Sequence, residues 1–446
     1  MIQNGNQKPI SFSLPNPNFT AIILALSKSY RSYSPLNCQT SGIRLSRTAE
    51  KSKYLCGSNN FEITGDDCRY NMAESENLVE YTNLGKSGLK VSNICLGTMT
   101  FGKVEESPLE VLKCPTQTDE EKSHQLMDRY VELGGNFLDT ANVYTFGQSE
   151  RIIGSWLKKR NRDDVVLATK VRAQMGPQAN SVGLSRRHII KSCEDSLERL
   201  QTDYIDLYQT HVWDNATPVE ETLRTLDDLV KCGKVRYIGV SNLVGWQMQK
   251  TVDITKYMGM TPVISLQQQY NLLVRHPEFE EFQVCKNEGL GVLPYSPLKG
   301  GLLTGKYKKN EKLDPSSGRI AFIAQNEKNA LQSFPAWSQY CNNDHYWKLI
   351  STLEDIGNAH GKNIAQTALR WTLQKDVVAS TIIGATSIQQ LEDNMAAGSG
   401  WNLTKEEMDK LDEISKPEIP YPYEESWRHN LGRVNKYNTS PLVKNL

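Results

Sequence analysis

Several marks of large protein classes are missing from this chain. Its 446 residues include nine cysteines but no Cys-x-x-Cys pair and no Cys/His group at zinc spacing, which argues against a zinc module or a disulfide framework. An odd count at low density reads as free thiols in a reducing compartment. Neither sign of charge is in excess, since 51 Lys plus Arg balance 51 Asp plus Glu. A general nucleic-acid binder would show a basic footprint that is absent here. No apolar run nears the length of about 18 residues that a spanning helix needs; the longest, residues 19–26, has eight. Long blocks of like charge are also missing, so the bulk of the chain is not of disordered type. Asn-x-Ser/Thr triplets such as those at Asn18, Asn402 and Asn438 are what chance supplies at this length.

The first 49 residues stand apart. They contain no acidic residue, and Lys8, Lys28, Arg31, Arg44 and Arg47 make them basic. That composition resembles a transit peptide, which would direct the protein to mitochondria. The apolar stretch lies late and no small-residue cleavage site follows it, so a secretory signal fits poorly. A tail without an address accounts for the composition equally well and leaves the protein cytoplasmic. Met72-Ala73-Glu74 also offers a start just before patterned sequence begins. The organisation expected is a leader over 1–78, one folded unit over 79–423 and a tail over 424–446.

From residue 80 a hairpin is expected up to 92, with Gly85 and Gly88 at turn positions. Then short apolar runs alternate with amphipathic stretches. The runs 93–101, 136–140, 165–171, 205–211, 235–240, 264–268, 291–295 and 381–383 read as strands buried on both faces. Helix starts are marked by Asp119, by Ser185 and by Thr217-Pro218, the last pair reading as a Thr cap with proline at the first helical position. Gly233 suits the end of the third helix. Eight such units over some 320 residues predict an α/β fold of the closed (β/α)8 type with an N-terminal hairpin. An open doubly wound sheet fits less well, because no strand runs into a Gly-x-Gly-x-x-Gly turn. Two stretches, 103–117 and 308–343, exceed what a minimal barrel requires.

Chemistry-bearing residues collect where strands end. Asp139 closes the second strand and Tyr144 follows it; Lys170 lies at the end of the third, and His211 at the end of the fourth. Barrel enzymes work on this rim. Asp and Lys are seldom buried unless paired, so Asp139 and Lys170 are expected to pair. A tyrosine ordinarily titrates near 10, and a neighbouring ammonium would lower that value and make it a better acid. A neutral histidine beside it can orient a carbonyl oxygen. No metal cluster is apparent and none of these groups is a strong nucleophile here, so the chemistry needs a cofactor. Taken singly, each residue has a plainer reading as a packing or structural group. The run Gly300-Gly301-Leu302-Leu303-Thr304-Gly305-Lys306 nearly spells a phosphate-binding P-loop, but Tyr307 stands where that motif needs Ser or Thr. Lys306 keeps a phosphate-binding reading, because barrel phosphate sites use the last two loops. Thr386 and Ser387 open the final helix, which makes its N-terminus an anion site as well as an ordinary cap.

The segments GGNFLDTANVY, VVLATKV, DYIDLYQTH, GKVRYIGVSN, LQQQYNLLVR, LPYSPLKGGLLTGKY and IIGATSIQQLEDN, in that order, resemble the aldo-keto reductase superfamily across 79–423. The resemblance implies an NADPH-dependent barrel that reduces a small-molecule carbonyl substrate to an alcohol. It implies catalytic roles for Tyr144 as proton donor, for Asp139 and Lys170 as its tuners, and for His211 as the group that orients the carbonyl. It implies a cofactor site at Thr98, Ser241, Asn242, Gln267, Tyr295, Ser296, Pro297, Leu298, Gly300, Lys306, Arg319, Gly384, Thr386, Gln390, Asp393 and Asn394. The family often carries Arg where this chain has Thr386, so NADH is admitted beside NADPH. Potassium-channel β-subunits form a branch of the same superfamily that this sequence also resembles, and a nucleotide-binding regulatory subunit with little turnover is the competing expectation. That branch looks to carry Asn where this chain has His211, which favours the enzyme.

Overall fold

A computed structural model describes residues 78–103, 116–331, 334–431 and 433. All but the last residue of the leader expected over 1–78, most of the stretch 103–117 and the last residues of the tail lie outside them. The hairpin is present: β1 (Tyr81–Asn83) runs antiparallel to β2 (Lys90–Ser92). Its turn closes on Gly85, whose φ of 58° and whose near approach to the Gly289 carbonyl leave no room for a side chain.

Eight parallel strands follow: β3 (Ile94–Gly97), β4 (Phe137–Asp139), β5 (Val166–Val171), β6 (Ile205–Thr210), β7 (Val235–Ser241), β8 (Val263–Gln269), β9 (Gly291–Tyr295) and β10 (Thr381–Ile383). The order β10-β3-β4-β5-β6-β7-β8-β9 is that of a barrel laid open between its last two strands. The gap is bridged just before β10, where Val292 N–H donates to the Val377 carbonyl at 3.0 Å and Ala379 N–H to the Val292 carbonyl at 2.9 Å. The fold is therefore the expected (β/α)8 barrel. The first strand is shorter than the apolar run predicts. Thr98 N–H turns to the Asp139 carbonyl (3.0 Å) and Phe101 N–H back to the Thr98 carbonyl (3.0 Å), so the chain bends after Gly97.

The side-chain period of two places the chemistry. Phe137, Val166, Ala168, Leu207 and Leu293 fill the lower interior of the barrel together with Leu84 and Val91 from the hairpin, which plugs that end. Two residues further along the same face of β4, β5, β6 and β9 stand Asp139, Lys170, Gln209 and Tyr295. The intervening residues Leu138, Leu167, Tyr208 and Val292 point outward into the larger core beneath the helices.

Helix starts follow their caps, with one correction. Asp119 accepts from Lys122 N–H ahead of the helix Glu120–Glu132, and Ser185 from His188 N–H ahead of Arg186–Leu200. Thr217 does not cap the third helix. Its hydroxyl donates to Asp214 at 2.7 Å, and the helix Val219–Lys231 begins behind Pro218 without a side-chain cap. The excursion over 308–343 contains the short helix Arg319–Ile323 and three single turns, and the tail opens with a helix over Tyr423–Asn430.

Tyr130 ties the first barrel helix to the strands beneath it. Its buried hydroxyl lies 2.7 Å from the Ile94 carbonyl oxygen, 2.9 Å from the Ser92 hydroxyl and 3.1 Å from the Phe137 N–H that it accepts. Tyr130→Phe strands these groups and is expected to lower unfolding stability by about 1–3 kcal/mol. Urea unfolding of the two proteins measures it; equal midpoints would show that the hydroxyl holds nothing.

Candidate active site

The upper interior of the barrel is a closed hydrogen-bond network around an ion pair. Lys170 is fully buried, and its Nζ donates to Asp139 Oδ2 at 2.5 Å, to the Thr140 carbonyl at 2.8 Å and to the Tyr144 hydroxyl oxygen at 3.2 Å. An ammonium has three donors, and all three are used. The other carboxylate oxygen of Asp139 accepts from Gln209 Nε2 at 3.1 Å and Gln267 Nε2 at 2.8 Å. Gly239 on β7 makes room for this layer, since a Cβ there would come within 2.6 Å of Ser265 Oγ and 3.0 Å of Gln209 Cγ.

Tyr144 is held by an unusual turn. Thr145, Phe146 and Gly147 follow it with φ of 50°, 52° and 86°. Left-handed backbone is costly for the first two. The Thr145 hydroxyl pins the turn by donating to the Phe101 carbonyl at 2.6 Å. His211 meets the Tyr144 ring edge to face, with centroids 5.9 Å apart. Its own carbonyl accepts from Asn242 Nδ2 at 2.9 Å, and Asn242 in turn receives the Tyr295 hydroxyl at 2.9 Å.

The electrostatics differ from the expectation in one respect. Burial pushes the Tyr144 phenol above its ordinary value; the Lys170 charge opposes this and Asp139 adds to it, so the net direction is up. The ammonium's pull is real but loses to desolvation. Tyr144 is therefore a fully protonated phenol near neutrality. Burial works against the charge of Lys170 too, but Asp139 and Tyr144 outweigh it and its pKa lies above the ordinary range. His211 is pushed down to about 3, first by burial and then by the charges of Lys170 and Arg172, so its imidazole is neutral in any working buffer.

A cavity of about 930 Å³ opens over this layer. Asp139, Tyr144 and His211 line one end. Asn242, Gln267, Tyr295, Ser296, Pro297, Leu298, Gly300, Lys306, Arg319, Gly384, Thr386, Gln390, Asp393 and Asn394 continue it across the tops of β9 and β10. Thr98 and Ser241 are not among its lining residues. Both are buried; the Thr98 hydroxyl bonds the Asp139 carbonyl at 3.0 Å and the Ser149 hydroxyl at 2.8 Å, and Ser241 Oγ accepts from Asn242 at 3.0 Å. They support the site from behind. Lys306 donates to the Ser317 carbonyl at 2.7 Å, and the Arg319 guanidinium lies 4.7 Å over the Phe334 ring, so the long seventh loop folds against the cavity. Ser387 caps the helix Ile388–Met395, while the Thr386 hydroxyl bonds Gln390 at 3.0 Å.

Sequence reasoning missed Asn363, which lines the cavity at the start of the helix Ile364–Leu373. Its signal was legible, because Asn363 and Gln366 form a capping box. Gln209 was also missed as a partner of Asp139. No group of metal-ligating side chains occurs among the described residues, and no helix among them is long and apolar enough to cross a membrane.

Asp139→Asn leaves the Lys170 ammonium buried without its counter-charge. A loss of about 3–5 kcal/mol in unfolding stability is expected. The double variant Asp139→Asn/Lys170→Met should regain part of it, because the unpaired charge has gone. Denaturant titration of the three variants checks this; strictly additive losses would mean the two groups do not act as a pair.

The aldo/keto reductase family model matches residues 93–416. An uncharacterized oxidoreductase of Bacillus subtilis, YrpG, is 36% identical over 350 residues, covering 75% of this chain and 96% of its own. A versiconal hemiacetal acetate reductase of Aspergillus parasiticus is 32% identical, over 78% of this chain and all of its own. A probable voltage-gated potassium channel subunit beta of Arabidopsis thaliana is 34% identical, over 77% of this chain and all of its own. A closed parallel barrel, a buried Lys–Asp pair beneath a tyrosine at its upper rim, and these matches agree: the chain belongs to the aldo/keto reductase family of oxidoreductases.

Proposed function

We propose that the protein is an NADPH-dependent carbonyl reductase that converts an aldehyde or ketone to an alcohol, with Tyr144 as the proton donor. The observation that carries this reading is the Tyr144 hydroxyl, 3.2 Å from Lys170 Nζ, at the end of the cavity that His211 also lines. The substrate's carbonyl oxygen is received by the Tyr144 hydroxyl and the neutral His211 imidazole. As charge develops on that oxygen, Tyr144 gives up its proton. Lys170 stabilises the phenolate that this leaves, which is where an ammonium locked in place by Asp139 is most useful.

The remaining cavity suits a phosphorylated dinucleotide. Lys306 and Arg319 bring positive charge, and the helix Ile388–Met395 and the helix Ile364–Leu373 present their N-termini to it. Tyr295 stands beside Tyr144 and could stack on a flat ring. When bound, NADPH supplies the hydride. Thr386, Gln390 and Asn394 would hold the adenosine end, and NADH is the weaker alternative. The regulatory reading draws its support from the channel-subunit relative; His211 and the complete Lys170 network favour turnover.

Two measurements test the proposal. Tyr144→Phe is expected to lower kcat by about 10²–10⁴-fold while NADPH affinity stays nearly constant, because the proton is needed in the transition state and not for cofactor binding. Steady-state kinetics on an aldehyde panel reads this, and undiminished turnover would sink the mechanism. Lys306→Met should weaken NADPH by about tenfold and NADH by less. Fluorescence titration decides it; equal weakening of both would move Lys306 from the 2′-phosphate to the pyrophosphate.

A further inference from the structure

The turn that presents Tyr144 is costly and has to be held. Thr145 and Phe146 are both left-handed, at φ/ψ of 50°/37° and 52°/43°. The Phe146 side chain is 49% exposed, so its burial offsets little of that cost. The Thr145 hydroxyl pins the turn to the Phe101 carbonyl. The far end of the turn, Gly147, rests against Arg199: a Cβ there would lie 2.7 Å from Arg199 Cδ and 3.0 Å from its Nε. Arg199 is itself locked. Its Nε donates to Glu150 Oε2 at 2.7 Å, and its Nη2 to the Ser196 hydroxyl oxygen at 3.2 Å. The Glu150 side chain is fully buried and that of Arg199 nearly so. The two form a buried ion pair separate from Lys170 and Asp139.

Glu150 has a further partner. Its Oε1 accepts from the Thr169 hydroxyl at 2.6 Å. Thr169 and Lys170 are successive residues of β5, so their side chains leave opposite faces of the strand. Lys170 turns inward to Asp139 and Tyr144, and Thr169 outward to Glu150. One carboxylate thus joins three segments. They are the helix Gln148–Leu157, which continues directly from the Tyr144 turn, the helix Arg186–Leu200, which carries Arg199, and the strand that bears Lys170. Neither Glu150 nor Arg199 lines the cavity. Any effect they have on a reactant runs through the groups they hold.

Resting on the reductase reading, we infer that Glu150 and Arg199 are positioning residues for the proton donor. They set the Tyr144 hydroxyl at hydrogen-bond distance from Lys170 by tying the Tyr144 turn to the strand that bears Lys170. A buried ion pair adds little net stability over an apolar pair of the same shape. What it adds here is a fixed geometry, because a charge-assisted bond from a planar guanidinium is directional as well as strong. The phenol has to stay within reach of both Lys170 and the substrate oxygen to transfer its proton. A displacement of about 1 Å at a reacting group can cost about 10²-fold in rate.

The test removes the pair and reads the phenol. Glu150→Gln/Arg199→Met takes away both charges and leaves neither unpaired. Its kcat should fall about tenfold or more, with the aldehyde KM and NADPH affinity near those of the wild type. Arg199→Lys, which keeps the charge, should retain more turnover than the double variant. In a Tyr144→Phe background the same double substitution should lower the residual turnover no further, because no phenol is left to place. An equal fall in both backgrounds, or a loss confined to KM, would overturn the inference. Where the double variant does not fold, Gly147→Ala takes its place with the same expectations, since it keeps both charges and displaces Arg199. Ring-13C tyrosine NMR reads the position without turnover. The Tyr144 signal, identified by its absence from Tyr144→Phe, should move in the double variant while that of Tyr270 holds. An unmoved Tyr144 signal refutes the positioning role and leaves the reductase standing. A moved signal in a protein whose wild type reduces no aldehyde supports the positioning role and counts against the reductase reading instead.

Discussion

The upper half of this barrel depends on one buried ion pair. Neither Lys170 nor Asp139 could stay charged inside the barrel alone, because the cost of desolvating an ion is far larger than any single hydrogen bond returns. Together they are tolerated because every remaining valence is filled. Lys170 has three acceptors, and Asp139 has Lys170 on one oxygen and two glutamine amides on the other. One of those three acceptors is the Tyr144 oxygen. The phenol is therefore built into the electrostatic closure of the core.

This coupling explains why the phenol is raised and not lowered. A charge fully balanced by its own partner exerts a weak net field, and burial then decides the direction. Tyr144 therefore keeps its proton near neutrality. A neutral His211 suits the same logic, since an imidazolium beside Lys170 would leave uncompensated positive charge in the cavity.

Much of this was legible in the amino-acid order. Strand alternation is strict on β4, β5, β6 and β9, so apolar residues two positions earlier predict that Asp139, Lys170 and Tyr295 face inward. The caps Asp119, Ser185 and Ser387 mark helix starts because their side chains have one obvious use. Thr217 had two uses, and the acceptor on Asp214, three residues back in sequence, won. What could not be read was geometry that arises only when distant segments meet. The left-handed turn at Thr145 and Phe146 is unfavourable by local preference and persists because the Phe101 carbonyl is there to receive Thr145. The support roles of Thr98 and Ser241 have the same origin, since a hydroxyl at a strand end gives no sign whether it will face a cavity or a neighbour's backbone. Gln209 reads as an ordinary strand residue until Asp139 is placed opposite.

The distribution of positive charge around the rim then divides the cavity by chemistry. Lys170 is paired with Asp139. Lys306 and Arg319 lie at the end where two helix N-termini converge, and their charge adds to that of the helix ends, as an anionic nucleotide requires. The paired ion thus sits beneath Tyr144 and a neutral His211, apart from the cations that the long seventh loop brings to the cavity.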